Sequence, residues 1–184
     1  KTVAINNGID LNTFYPRLTD SIFDKYNIPK DKKVLLGVAS VWEKRKGLDD
    51  FLLLSENIDE RYIVVLVGLT SRQIKKVSSY KNIIAIKRTE NQDDLASLYS
   101  LSYVLINPTY EDNYPTVNIE ALASGTRVIA YDTGGCVEQA INPNMYIVKK
   151  TTKDNNVKNI IELLETMDEH QDFDTSIYSD KLFT

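Results

Sequence analysis

The chain has 184 residues, of which 42% are hydrophobic and 26% are charged, a balance that is ordinary for one soluble globular domain. Its net charge of −4 argues against nucleic acid as a partner, because nucleic-acid-binding domains usually carry a basic face. The single cysteine excludes an internal disulfide and favours the reducing cytoplasm, and no apolar run approaches the roughly 20 residues that a membrane helix needs.

Short apolar, β-branched runs alternate with helix-like stretches along the chain. In chain order, this pattern predicts strand 34–38, helix 48–54, strand 63–67, helix 71–78, strand 83–86, helix 93–99, strand 103–106, helix 116–124, strand 127–130, strand 146–148 and helix 156–168. Residues 3–5 are a candidate extra edge strand, and the tail 171–184 has no clear period and is expected to be irregular. Because continuous apolar strands that alternate with helices indicate a parallel sheet covered on both faces, we predict a single Rossmann-like, doubly wound α/β domain over residues 1–184.

The strand order of such a sheet predicts where a ligand would bind. In the common order 3-2-1-4-5-6, the ligand crevice lies between strands 1 and 4, at their carboxyl ends. The loops that leave these two strands, 40–47 and 107–115, are also the loops richest in charged and polar side chains. We therefore expect the binding site between these loops.

The loop after strand 4 leads into a helix whose amino end is suited to bind an anion. Pro115 lacks an N–H and suits the first helical position, so that the backbone amides of Thr116 and Val117 point out of the helix end. Such an end binds phosphate through its amides and its dipole. Glu120, about one turn further on, is either a capping or surface acid or a carboxylate that accepts hydrogen bonds from sugar hydroxyls.

Two further loops are predicted at the same edge of the sheet. The charged run 43–47 contains Arg45 and Lys46. Such runs are usually solvated, but directly after a buried strand the cations can neutralise a diphosphate. After strand 5, Gly134 and Gly135 form either a plain turn or a place where the backbone approaches a ligand closely.

These residues resemble a known family. Residues 111–125, followed by 127–130 and by Gly134-Gly135, are similar to the donor-site signature of the retaining glycosyltransferases of family 4, also called glycosyltransferases group 1. Three other segments fit: Asn7-Gly8-Ile9-Asp10 with Phe14 and Pro16, the pair Lys46-Gly47, and residues 95–100. The resemblance runs from about residue 6 to residue 148 and so covers most of the chain.

The resemblance implies the GT-B fold, in which two Rossmann-like domains face each other across a cleft, and makes this chain the C-terminal, donor-binding domain. The acceptor-binding domain is then missing, so we expect a part of a longer enzyme that is inactive alone. That enzyme would move a hexosyl group from a nucleoside-diphosphate sugar to a glycan or lipid-linked glycan with retention. We expect it in the cytoplasm, either free or peripheral at the inner face of the membrane, with no metal or other cofactor.

The resemblance also implies roles for residues at matching positions. Those with a catalytic role are Lys46, Arg45 and Glu111. Those that bind substrate are Ser40, Asp112, Pro115, Thr116, Val117, Glu120, Gly134 and Gly135. In this scheme the two cations and the helix amides hold the diphosphate, Glu120 holds the ribose, and an acid before the helix holds the sugar hydroxyls.

Two departures from the family pattern affect these roles. The usual spacing puts seven residues between two glutamates, but here seven separate Asp112 from Glu120 and eight separate Glu111 from Glu120. We assign the sugar to Glu111, because a short side chain such as that of Asp112 favours a turn by bonding nearby backbone. The family also commonly has an arginine six residues before the lysine, where this chain has Ser40, and Arg45 would then supply the missing charge.

Other functions would use the same crevice. A nucleotide-sugar epimerase of the same fold and a non-catalytic nucleotide-sugar-binding module are the alternatives. A dinucleotide dehydrogenase is disfavoured, because no Gly-x-Gly-x-x-Gly follows strand 1. Asp172-Phe173-Asp174 resembles a metal-binding motif but lies in the tail, and His170 and Cys136 are interpreted as a surface and a structural residue.

Overall fold

The computed structural model describes residues 7–17 and 20–169; the candidate edge strand, the tail, His170 and the 172–174 motif lie outside these ranges. In chain order the elements are α1 (Asp20–Lys25), β1 (Lys33–Val38), a 3₁₀ helix (Lys44–Lys46), α2 (Leu48–Asn57), β2 (Tyr62–Val67), α3 (Ser71–Val77), β3 (Ile83–Ile86), α4 (Gln92–Leu101), β4 (Val104–Asn107), α5 (Thr116–Ala123), β5 (Arg127–Tyr131), α6 (Gly135–Gln139), β6 (Met145–Val148) and α7 (Lys153–Glu169). Among these described helices, none has the length and apolar character needed to cross a membrane.

The six strands form one parallel sheet in the order β3-β2-β1-β4-β5-β6, which confirms the predicted strand order. β1 pairs with β2 along its whole length, and its residues Leu35 and Leu36 pair with β4. β2 and β3 therefore lie on one side of β1, and β4, β5 and β6 lie on the other, so the strand order switches between β1 and β4. The carboxyl ends of these two strands lie side by side, as a ligand crevice in this fold requires.

Helices cover both faces of the sheet, and an apolar core lies under each layer. Leu35 and Leu36 are neighbours on β1 and both are fully buried, one in each core. The first core joins the sheet to α2 and α7, and the second joins it to α1, α4 and α5. Because successive side chains of a strand point to opposite faces, a strand covered on both sides has a continuous apolar sequence rather than an alternating one.

Three short elements were not predicted from the sequence. α1 has six residues, which is too short for a helical period to be recognised. The 3₁₀ helix consists of three cations, so it carries no apolar pattern at all. α6 begins at Gly135, a residue type that disfavours helices, and so Gly134-Gly135 is not a plain turn but the entry to a helix.

α5 starts at residue 116 as predicted, but Pro115 precedes the helix instead of occupying its first position. Pro115 has an extended backbone (φ −67°, ψ 118°), and the first helical residue is Thr116. The Pro115 carbonyl accepts hydrogen bonds from the Asn118 amide at 3.4 Å and from the Gln139 side chain at 3.0 Å, and these contacts hold Pro115 as the cap that precedes the helix. α5 ends at Ala123, one residue before the predicted end, and Gly125 follows with a φ of 85°, as expected of a glycine that terminates a helix.

Candidate functional site

A cleft of about 670 Å³ opens at the carboxyl edge of the sheet, over the ends of β1 and β2 and beside the start of α5. Its walls come from the end of β1, the end of β2, the loop between β3 and α4, and the first turns of α5. Four of the residues singled out from the sequence line it, namely Ser40, Thr116, Val117 and Glu120. The cleft thus lies at the predicted edge of the sheet, but of the two predicted loops, 40–47 and 107–115, only Ser40 lines it, and its other walls come from the ends of β1 and β2, the β3–α4 loop and α5.

The amino end of α5 forms one wall of this cleft. Thr116 is exposed and Val117 is half-buried, and both are in the first turn of an eight-residue helix. Amides in a first helical turn have no acceptor within their own helix, and the helix dipole adds partial positive charge at that end. This wall can therefore bind an anionic group such as a phosphate.

Glu120 lies deeper in the same wall and is oriented by a buried tyrosine. The Tyr99 hydroxyl donates a hydrogen bond to Glu120 Oε2 at 2.8 Å. Burial, reinforced by the Glu120 charge, raises the pKa of Tyr99 well above its usual value, so that the hydroxyl stays a donor. Glu120 is half-buried and lines the cleft, so it is a fixed acceptor in the cleft wall rather than a surface acid.

Apart from Pro115, which caps α5, the other predicted site residues form a second group next to α5, which we call the β4–α5 loop cluster: Arg45, Lys46, Glu111, Asp112, Gly134 and Gly135. Lys46 Nζ lies 2.5 Å from Asp112 Oδ2, and the two side chains are 21% and 17% exposed. The Asp112 carboxylate therefore pairs with a lysine 66 positions away, and not with nearby backbone as the sequence suggested.

Arg45 holds the loop through its backbone and leaves the Glu111 side chain available. Arg45 Nη1 donates to the Glu111 carbonyl at 3.0 Å, while its Nε pairs with Glu43 at 2.8 Å. Glu111 is exposed, and within residues 7–17 and 20–169 its carboxylate has no hydrogen-bond or ion-pair partner. Of the two candidate acids, Asp112 is engaged and Glu111 is open to a ligand.

The glycine pair after β5 packs against the β4–α5 loop. A Cβ on Gly134 would lie 2.0 Å from the Asp112 carbonyl oxygen, and one on Gly135 would lie 2.1 Å from the Asn113 carbonyl oxygen. Gly134 also has a φ of 45°, which side chains rarely adopt. The close approach that these glycines permit is thus to the neighbouring loop, and neither glycine lines the cleft.

One cleft wall was missed from the sequence. The loop between β3 and α4 contributes Lys87, Arg88, Thr89, Glu90 and Asn91. This polar run directly follows a predicted strand. Because all strands of a parallel sheet end at the same edge, the position of the run in the sequence could have indicated that it borders the crevice.

Lys25 of α1 fixes the missed loop in place. Its ammonium contacts Glu90 and Asp94, each at 2.7 Å. The hydrogen bonds to these two carboxylates raise the pKa of Lys25, which therefore stays charged. α1, which the sequence pattern did not reveal, thus positions a wall of the cleft.

Cys136 is not placed for chemistry. The thiol is fully buried, lies 3.7 Å from the Asn118 side-chain nitrogen, and has a pKa that burial raises to about 11. A thiol of this kind is a poor nucleophile. In the described part of the chain, no group of three His, Cys, Asp or Glu side chains could hold a metal ion.

Several known proteins are similar in sequence to this chain. The family model of Glycosyl transferases group 1 matches residues 19–180. The chain is 26% identical over 163 residues to N,N'-diacetylbacillosaminyl-diphospho-undecaprenol alpha-1,3-N-acetylgalactosaminyltransferase of Campylobacter jejuni, a match that covers 85% of this chain and 43% of that enzyme. A D-inositol 3-phosphate glycosyltransferase of Streptosporangium roseum is 26% identical over 148 residues, which are 72% of this chain and 34% of that enzyme. The chain thus spans less than half the length of either relative.

Solved structures of similar fold include domains and whole enzymes. The C-terminal domain of a group 1 glycosyl transferase (LpcC) from Francisella tularensis matches with a TM-score of 0.66 at 21% identity, over 95% of this chain and 90% of that one. The Anabaena protein HepE in complex with UDP-glucose matches with a TM-score of 0.72 at 17% identity, over 90% of this chain and 47% of that one. These likenesses confirm the Rossmann-like α/β fold.

Proposed function

The chain belongs to the group 1 glycosyl transferases, and from that premise we propose that it is the donor-binding domain of an enzyme that transfers a hexosyl group from a nucleoside-diphosphate sugar, with retention at the anomeric carbon. The observation that carries this proposal is the cleft at the carboxyl edge of β1 and β2, with the first turn of α5 and Glu120 in one wall, together with the Lys46–Asp112 pair in the loop that leads into α5. An anion-binding helix end next to a fixed carboxylate suits a phosphate joined to a ribose.

In this proposal the donor lies across the cleft with its diphosphate at α5. The amides of Thr116 and Val117 bind phosphate oxygens, and Glu120 accepts hydrogen bonds from ribose hydroxyls. The nucleoside extends toward the wall formed by the β3–α4 loop, where exposed polar side chains are available. The sugar extends toward the β4–α5 loop cluster and meets Glu111, whose carboxylate is open.

The proposed reaction needs no nucleophile from the protein. The bond from the anomeric carbon to the diphosphate oxygen breaks, and its electron pair stays on the diphosphate. The acceptor hydroxyl forms the new bond on the same face and gives its proton to the leaving diphosphate. Lys46 and Arg45 then stabilise the charge that develops on the leaving group, which is the largest contribution a site of this kind makes to catalysis.

The acceptor would bind to a second domain that faces this one. The chain spans 43% of the Campylobacter jejuni relative, whose name specifies an undecaprenol-diphosphate-linked acceptor. We therefore propose a glycan or lipid-linked glycan as acceptor and a cytoplasmic enzyme that can be peripheral at the inner membrane face. Without the second domain, the reacting groups cannot be brought together, so we expect this chain to bind the donor but not to transfer its sugar.

Calorimetry with UDP-, GDP-, ADP- and TDP-sugars tests the proposal. We expect one nucleotide family to bind to the chain, with no sugar transfer to added glycans. If none binds, the donor-domain proposal is wrong. Robust transfer by this chain would contradict the need for a second domain, and release of epimerised sugar would favour the epimerase.

A further inference from the structure

A buried carboxylate lies behind the β4–α5 loop cluster, outside the cleft. Asp50, in the first turn of α2, is only 4% exposed. Its Oδ1 accepts hydrogen bonds from the hydroxyls of Tyr110 at 2.7 Å and Tyr131 at 2.8 Å. Burial raises the pKa of Asp50, while the two tyrosine hydroxyls oppose that shift by stabilising the charged form. A buried acid is costly unless it is paired in this way, so its presence calls for an explanation.

Tyr110 is the residue through which this carboxylate reaches the proposed site. Its amide donates to the Arg45 carbonyl at 2.7 Å, and its own carbonyl accepts from Lys150 Nζ at 3.1 Å. Its ring packs edge-on against Tyr131, with ring centroids 5.5 Å apart. Tyr110 is thus held at its amide, carbonyl, ring and hydroxyl, and the next two residues along the chain are Glu111 and Asp112.

We infer that Asp50 is a positioning residue for the donor site: by fixing Tyr110, it sets where Glu111 and Asp112 stand relative to Lys46. This inference rests on the proposed function. The neighbouring loop geometry supports it, because Arg45 bonds both the Tyr110 amide and the Glu111 carbonyl, so a shift of Tyr110 moves the acids and the cations together.

The two tyrosines provide a matched pair of variants. Tyr110→Phe and Tyr131→Phe each remove one hydrogen bond from the same oxygen of Asp50. Tyr110 lies in the loop that carries the candidate acids, whereas Tyr131 ends β5 and is fully buried. A purely structural role for Asp50 predicts similar effects of both variants, and a positioning role predicts an effect on the site from Tyr110→Phe alone.

The experiment compares both variants with the unaltered chain in three measurements. The first is urea stability, which we expect both changes to lower. The second is the dissociation constant for the nucleoside diphosphate that binds best among UDP, GDP, ADP and TDP, and for its monophosphate. For Tyr110→Phe we expect the dissociation constant for the diphosphate to rise roughly tenfold, because the freed loop no longer holds Lys46 in place for a charge-assisted contact, while the constant for the monophosphate stays unchanged. For Tyr131→Phe we expect neither constant to change.

The third measurement is hydrogen exchange of the amides at 111–114, which needs no ligand. We expect faster exchange there in Tyr110→Phe but not in Tyr131→Phe. The inference would be overturned if the two variants had equal exchange rates at 111–114 and equal ratios of the diphosphate to the monophosphate dissociation constant. Failure of the unaltered chain to bind any nucleotide, with the exchange difference still present, would refute the proposed function and leave the positioning role of Asp50 intact.

Discussion

Replacing Lys46 with alanine tests the charge that the proposal assigns to the diphosphate. A charge-assisted contact contributes about 1.5–3 kcal/mol, which corresponds to a rise in the dissociation constant of about tenfold to a hundredfold. Lys46 is already paired with Asp112 at 2.5 Å, and the diphosphate must compete for it. We therefore expect the lower end, about tenfold, for Lys46→Ala. The change also leaves the largely buried Asp112 carboxylate without its partner, so we expect a loss of stability above the roughly 0–1 kcal/mol of an exposed ion pair, and urea unfolding checks that the variant stays folded.

Because Asp112 and the diphosphate compete for Lys46, we expect Asp112→Asn to lower the dissociation constant for the diphosphate, whereas Lys46→Ala raises it. This change frees Lys46 and removes a negative charge beside the bound anion, so a nucleoside diphosphate without sugar should bind more tightly. Calorimetry on both single variants and the double variant would measure the coupling between the two residues. We expect Lys46→Ala to weaken diphosphate binding more in the Asp112→Asn background than in the unaltered chain. An unchanged dissociation constant in Lys46→Ala would show that residues 44–46 are a solvated charged run with no role in diphosphate binding. Weaker diphosphate binding in Asp112→Asn would refute the competition.

Three further predictions follow from the site. In the full-length enzyme with an acceptor, Glu111→Gln should lower turnover strongly and leave the fold intact, while Asp112→Asn should mainly lower stability; the reverse order would assign the sugar to Asp112. Diphosphate binding should persist in EDTA, because the proposed ligands are cations and amides; loss that Mn²⁺ or Mg²⁺ restores would contradict this. The Cys136 thiol, with its pKa raised to about 11 by burial, should be little ionised and should react slowly with iodoacetamide until urea unfolds the chain; fast labelling of the folded chain would show that the thiol is accessible.

The strand order could be predicted because it depends on two strong signals. The interior strands of the sheet are buried on both faces, so their apolar runs stand out in the sequence, as at Leu35 and Leu36. Parallel strands also need crossover helices, and these leave few possible topologies. The elements that escaped prediction lack such signals, since α1 is too short to show a period and α6 begins with glycine.

The site could be predicted only as positions along the chain. The turn that leads into α5 and the cations after β1 are local in sequence and were recognisable there. Their partners are not local: Asp112 meets Lys46 across the fold, and the β3–α4 loop joins the cleft only because its strand ends at the same edge. Asp50 is the clearest example of a residue whose role could not be predicted. An acid in the first turn of a helix normally stabilises the helix from an exposed position, whereas Asp50 is buried.

The contact between Gly134-Gly135 and the carbonyls of Asp112 and Asn113 has a consequence for recombining such enzymes. At 2.0 and 2.1 Å, a Cβ on either glycine would overlap the facing backbone, so this packing requires glycine at both positions. Residues 107–115 and 132–135 therefore pack as one unit, although 16 residues separate them in the sequence. A chimera that imports the first segment from a relative needs glycine at both facing positions, and a larger residue there would displace the acids that the graft was meant to transplant.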